Sequence, residues 1–419
     1  MIEWNLLLAV FLSVLLCKTL AKSFLVRLNI GHLNLHGGEV PEVFRGEIDQ
    51  ATLGRMRDYT VDGASFSRME DLFQDCLVLL LLLTGWFAWL AFRTEAAGFS
   101  LVVAGNLFWL VLLLASTVLQ TPFDLYRIFV IEKQYGFTTT TAGLWFADLL
   151  KSTVISVILM LTLMTMLLVL FQALPWTWWL WVWIVFSLFQ LLLSWLYPVL
   201  IAPLFNKFIP IRDESLRKRI LALAEQAGLR AKGVFQVDAG KRSRHTNAYF
   251  TGLGRTKRIV LYDTLLEAHD EEEILSILAH EIGHWKKKHV LKQIMIMECL
   301  TLLVLGGIFF LLQWPLLYQT FGFPPSAPYA VLFLIFLLVE PVLFFLTPLM
   351  SFISRQYERE ADRYAVALIG TGRHLARAMK KLAKDNLANL HPHPWYAWFY
   401  YSHPVLVERI STLQKMRAE

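Results

Sequence analysis

Followed for its alternation of apolar and polar positions, the chain resolves into seven long apolar runs joined by polar connections of very unequal length. The runs lie near residues 4–24, 76–92, 100–119, 149–174, 177–200, 293–313 and 329–350. Each approaches the roughly 20 residues that an α-helix needs to cross the hydrocarbon core of a bilayer. No internal repeat is evident. Basic residues divide sharply between the connections: those after runs one, three and five and the C-terminal tail hold nearly all the Lys and Arg, whereas those after runs two, four and six contain only Arg93. The positive-inside rule therefore places the N-terminus outside and the long connections and C-terminus in the cytoplasm. Trp176, Trp178, Trp179, Trp181 and Trp183 form an aromatic belt where the fifth run begins.

Two connections are long enough to fold. Residues 25–75 carry mixed charge and read as short amphipathic helices near the cytoplasmic face. Residues 204–290 open with a predicted helix from Glu214 to Ala227 that Gly228 can close in a left-handed cap. Strand-type runs follow at Gly233–Val237, Asn247–Phe250 and Arg258–Tyr262, consistent with a small sheet. Asp270 with Glu273 three residues on is a capping box that starts a helix. With no Pro or Gly-rich break before the sixth run, that helix is expected to continue straight into the membrane. Lys286, Lys287 and Lys288 stand at the junction, as anchors at the membrane mouth or as a docking point for an acidic substrate end. The chain thus divides into 1–203 (runs one to five, with the 25–75 connection), 204–290 (a cytoplasmic insertion), 291–350 (runs six and seven) and 351–419 (a C-terminal cytoplasmic part).

Composition supports this reading. With 56% hydrophobic and 17% charged residues over 419 positions, and a mean hydropathy of +0.51, the chain is an integral membrane protein. The first run lacks a basic leader and a small-x-small cleavage site, so it reads as a retained span. The net charge of +6 is a topology signal and gives no reason to expect nucleic acid as a partner. Cys17, Cys76 and Cys299 all sit in or beside apolar runs and form neither a disulfide framework nor a thiolate cluster, so a metal must rest on His and carboxylate.

The chemistry concentrates at His280-Glu281-Ile282-Gly283-His284. Histidines four apart share one helix face and can hold one metal ion, and Glu281 between them is placed to take a proton from the attacking water. A catalytic zinc needs a third protein ligand. Runs six and seven form a hairpin, with His284 about nine residues before it and Glu358 about eight after it. At 1.5 Å per helical residue both stand roughly 12 to 14 Å above the same membrane edge, which makes Glu358 the expected ligand. Asp362, one turn on, is expected to accept the outer N–H of a ligating histidine. The competing reading has both acids as surface partners of Arg355 and Arg359. Glu360 is expected to point elsewhere as a solvated charge. Asn106, Glu298 and Glu340 lie inside the runs, where they need water or one another.

These motifs resemble those of the integral-membrane zinc CAAX proteases. The likeness runs through Gly46-Glu47-Ile48-Asp49, Pro122-Phe123-Asp124-Leu125-Tyr126, Phe129 to Phe137, Ile201 to Phe208, His245-Thr246-Asn247-Ala248-Tyr249-Phe250, the HEIGH stretch, Ser354-Arg355 with Glu358 and Asp362, and Tyr401-Ser402-His403-Pro404. The resemblance implies a mainly α fold: a seven-helix transmembrane barrel enclosing a chamber, capped by a zincin-like domain with a small β-sheet. It implies one zinc per chain on His280, His284 and Glu358, with Glu281 as general base. It also implies peptide alignment along an edge strand at Asn247 and Ala248, oxyanion stabilisation by His403, and support from Arg409. The expected substrate is a peptide or lipidated protein and the expected setting a lipid bilayer, either a bacterial inner membrane or the endoplasmic reticulum. The chain ends in Gln414 to Glu419 without a dilysine-type retrieval signal, which leaves both membranes open. A membrane quality-control protease would use the same triad. A transporter or channel would leave the triad unexplained and shows no paired repeats.

Overall fold

The structure is a computed structural model that describes residues 2–229, 231–251 and 258–417. It is mainly helical. Helix α1 (Leu6–His36) starts at Asn5, whose side chain accepts the Leu8 N–H. Helix α2 (Gln50–Leu83), capped by Asp49, is bent by 56° from α3 (Trp86–Ala96) at the left-handed Gly85. Next come α4 (Leu101–Tyr126), extended by a π turn through Glu132, and α5 (Ala142–Ala173). A second π turn at Tyr197–Ile201 joins α6 (Trp178–Leu196) to α7 (Ala202–Phe205). The polar insertion holds α8 (Glu214–Gln226), α9 (Asp263–Ala268) and α10 (Glu271–Lys286). After it come α11 (His289–Leu311), α12 (Pro315–Phe321) and α13 (Pro328–Phe344), the last bent by 59° from α14 (Thr347–Ile369). Helices α15 (Arg373–Asp385), α16 (Pro394–Tyr400) and α17 (Leu406–Lys415) complete the order.

Among the described residues, five helices are long and apolar enough to cross a membrane, and the two bent pairs raise the number to as many as seven. These are the seven apolar runs of the sequence. Large hydrophobics such as Leu150, Leu188, Leu303 and Phe310 point outward from them, and nothing in the apolar window of α11 is buried within the protein. Such a surface is stable only with lipid against it. Polar groups in the spans find partners: Lys18 reaches Asp75 at 3.1 Å and Glu340 at 2.8 Å, tying spans one, two and seven together. Ser187 donates to Glu298, and Asn106 Nδ2 donates to Thr165 Oγ1 at 2.8 Å.

Two expectations need correction. Residues 25–75 do not form short surface helices, because α1 runs on to His36 and α2 is continuous from Gln50. The connection is held by apolar contact: Phe44, Ile48, Leu53 and Met56 share a core with Leu375, Met379 and Ile410 of the C-terminal part. The HEIGH helix does not continue into the membrane. It ends at Lys286, Lys288 takes the left-handed conformation (φ 56°, ψ 35°), and α11 begins afresh at His289.

The sheet has four strands: β1 (Phe208–Pro210), β2 (Gly233–Val237), β3 (Ala248–Thr251) and β4 (Arg258–Tyr262), in the spatial order β1-β2-β4-β3. Strands β2 and β4 are parallel, and both outer strands pair antiparallel, Ala248 opposite Leu261. Val234, Ile259 and Leu261 pack with Ile220, Leu278 and Ile282, which seats α8 and α10 on the sheet. The three strands read from the sequence are present to within a residue, and β3 stands at the edge.

Candidate metal centre

Helix α10 is fixed from its first turn. Asp270 accepts the Glu273 N–H at 2.9 Å and Glu273 accepts the Asp270 N–H at 3.2 Å, so the capping box is closed. Glu273 is buried and also receives Arg377 Nε at 2.8 Å, which ties α10 to α15. Farther along, α10 lies against α14 at a contact only glycine permits: a Cβ on Gly283 would stand 2.9 Å from the Ala361 carbonyl oxygen and 3.0 Å from its Cα. That close approach brings the carboxylate of α14 to the two histidines of α10.

Donor atoms of His280, His284 and Glu358 all lie within 4.8 Å of one another. The Nε2 atoms of His280 and His284 are 3.1 Å apart. Two nitrogens held tetrahedrally at 2.0–2.1 Å by one zinc ion would stand about 3.3 Å apart, so the spacing fits. Glu358 Oε2 lies 3.3 Å from His280 Nε2, and Oε1 lies 3.2 Å from His284 Nε2. Although Arg409 Nη1 approaches Oε2 to 3.1 Å, this buried oxygen accepts no well-directed hydrogen bond. Burial alone would lower the His280 pKa, yet the carboxylates of Asp362 and Glu358 beside the ring outweigh it and push the pKa up to about 9. Two imidazoles and a carboxylate are the donor set of a catalytic zinc site.

Behind the ligands, Asp362 Oδ1 meets His280 Nδ1 at 2.8 Å. Arg409, 9% exposed, grips Asp362 through Nε and Nη2, both at 2.6 Å. The Arg355 side chain takes no part in this. It donates to the carbonyls of Trp398 and Tyr401, and Ser351 donates to that of Phe399, so α14 holds the segment that leads to His403. His403 Nε2 comes within 3.3 Å of Glu358 Oε1, and its side chain is 60% exposed. A cavity of about 580 Å³ opens here, with Asn247, Ala248, Glu281, His403 and Arg409 in its wall. Burial raises the Glu281 carboxyl above the ordinary range, against the pull of His280 and His284. Of the candidate site residues named from the sequence, Asn247, Ala248, His280, Glu281, His403 and Arg409 line this groove, while Glu358 and Asp362 contact His280 and Glu358 also contacts His284.

His289 was not read from the sequence, and it corrects the reading of Glu360. Glu360 Oε2 lies 3.1 Å from His289 Nε2, and His289 Nδ1 lies 3.0 Å from His284 Nδ1. On an unbroken helix a residue five positions on is rotated by about 140°, away from its predecessor. The turn at Lys288 is what brings it back. The sequence signal, a fifth-position histidine after the motif, was visible and its geometry was not.

If His280 holds a metal ion, replacing Asp362 by Asn is expected to weaken that binding by about 10- to 100-fold, the usual cost of losing a partner behind a ligating histidine. Chelator competition on purified protein measures this, and an unchanged zinc affinity would return Asp362 to a purely structural role.

Comparison with known proteins divides the chain between two family models. Residues 29–207 match the family profile for the CAAX prenyl protease N-terminal region with five membrane helices, and residues 210–417 match peptidase family M48. CAAX prenyl protease 1 of Saccharomyces cerevisiae is 33% identical over 401 residues, covering 90% of this chain and 88% of that protein. The human CAAX prenyl protease 1 homolog is 30% identical over 425 residues, covering 90% and 89%. The crystal structure of S. mikatae Ste24p matches with a TM-score of 0.92 at 30% identity, covering 98% of this chain and all of that one.

Proposed function

Because the chain belongs to the membrane CAAX prenyl protease family, with a peptidase family M48 domain, we propose that it holds one zinc ion on His280, His284 and Glu358 and cuts a peptide bond near the C-terminus of prenylated CAAX-type substrates. It is a multi-pass integral membrane metalloprotease. The observation that carries the proposal is the convergence of three ligand atoms within 4.8 Å of one another beside a groove that reaches an edge strand.

Zinc, when bound, supplies a Lewis acid that polarises the scissile carbonyl and acidifies water. Glu281 takes the proton of the attacking water and delivers it to the leaving amine; its raised pKa brings it closer to the operating pH. His403 stands on the open side of Glu358, where an N–H can donate to the developing oxyanion. An extended peptide adds to the sheet beside β3 at Asn247 and Ala248, and main-chain hydrogen bonds set its register. Asp362 and Arg409 fix the ring of His280 from behind. The seven spans close a barrel around an interior chamber, and the excess of basic residues in the long connections puts the metal domain on the cytoplasmic side.

Purified protein is expected to release the C-terminal tripeptide from a farnesylated CAAX peptide, seen by product mass, and to lose that activity when zinc is chelated. Activity that survives full removal of metal would overturn the metal assignment. Intact CAAX peptide alongside degraded unfolded membrane protein would overturn the substrate assignment.

A further inference from the structure

We infer that His289 and Glu360 form a second support for the metal centre, fixing the ring of His284 as Asp362 and Arg409 fix that of His280. The inference rests on the zinc reading given above. A histidine that offers Nε2 to a metal carries its proton on Nδ1. His284 Nδ1 therefore donates, and the only polar atom it meets among the described residues is His289 Nδ1, at 3.0 Å. His289 must then accept at Nδ1 and bear its own proton on Nε2, which points at Glu360 Oε2 3.1 Å away. One tautomer satisfies every contact in the chain. Glu360 lies 4.0 Å from Lys292 Nζ and keeps its charge at the solvent edge.

His289 is built into this place. Its side chain is 2% exposed, and its ring stacks on Tyr357 with centroids 4.3 Å apart and planes 10° from parallel. Tyr357 directly precedes the ligand Glu358, so the same ring contact joins α11 to the α14 turn that carries the third ligand. The backbone makes a sacrifice for it: Lys288, a side-chain-bearing residue, adopts φ 56° immediately before His289. Left-handed geometry in a non-glycine residue is retained where the surroundings demand it. Here it turns the first residue of α11 back onto His284, a contact an unbroken helix denies. His289 is a positioning residue, acting through His284 without touching substrate.

The test uses the full-length zinc protein in detergent. His289→Phe keeps an aromatic ring to stack on Tyr357 and removes the acceptor, while Glu360→Gln keeps an acceptor for His289 and removes the charge. His289→Phe is expected to loosen zinc by about 10- to 100-fold in chelator competition, and Glu360→Gln by a smaller factor in the same direction. In cobalt-substituted protein His289→Phe is expected to shift the visible ligand-field bands, a change that lost packing away from the metal would not produce. Wild-type affinity and an unchanged cobalt spectrum in His289→Phe would overturn the inference. Should His289→Phe fail to fold, wild-type zinc affinity in Glu360→Gln would do the same. Absence of zinc from the wild-type protein would instead bring down the underlying metal reading, and this step with it.

Discussion

Glu281→Gln is expected to retain its metal and lose about 10²- to 10⁴-fold in turnover, the range contributed by a positioned general acid–base. Glutamine matches the side chain in shape and cannot accept the proton. None of the three clustered donor atoms belongs to residue 281, so metal content should be unchanged. The carboxyl is half-shielded, with its pKa raised by burial; the variant removes a costly group, and folding should not suffer. Zinc analysis of the purified variant together with single-turnover cleavage separates the two effects. A variant that loses zinc would show Glu281 to be a ligand or its support, and one that cleaves at the wild-type rate would remove it from the chemistry.

The second large effect is expected from Gly283→Ala, a change of one methyl group at a residue that touches no substrate. The added carbon would stand 2.9 Å from the Ala361 oxygen and 3.3 Å from its Cβ, against backbone that cannot rotate aside. Helices α10 and α14 must part. Overpacking of this kind costs about 1 to 3 kcal/mol, and if bringing the ligands together again around zinc must overcome that strain, affinity falls by about 5- to 150-fold. Chelator competition reads the loss, and Ala361→Gly in the same chain should restore only part of it, since the oxygen and Cα remain. Wild-type zinc affinity in Gly283→Ala would mean that the triad does not depend on the close crossing.

Much of this was legible because lipid is a demanding solvent. A span must be long and apolar, so the apolar runs stood out in the sequence, and the hairpin implied by the last two placed Glu358 level with His284. The capping box at Asp270 and the cap at Gly228 were legible because their chemistry is local. What escaped depends on partners distant in sequence. Lys18 lies in an apolar run, and only the packed spans reveal Asp75 and Glu340 around it. The break at Lys288 carries no Gly or Pro to announce it. Glu360 was judged by its rotation on α14 alone, and its partner arrives from α11. Strand β1 is three residues long and ends in Pro210, too little pattern to detect.

The proposed ligands are divided between two helices on either side of a membrane hairpin: His280 and His284 before span six, Glu358 after span seven. During synthesis the ribosome therefore delivers a bidentate half-site first, and the third donor emerges only after the last span has been threaded. On this assignment metal capture is a late event in biogenesis, completed by the segment that follows span seven. With these ligands a nascent chain stalled within the hairpin would have no competent centre, and the membrane would hold the protease in a dormant form until its topology is finished.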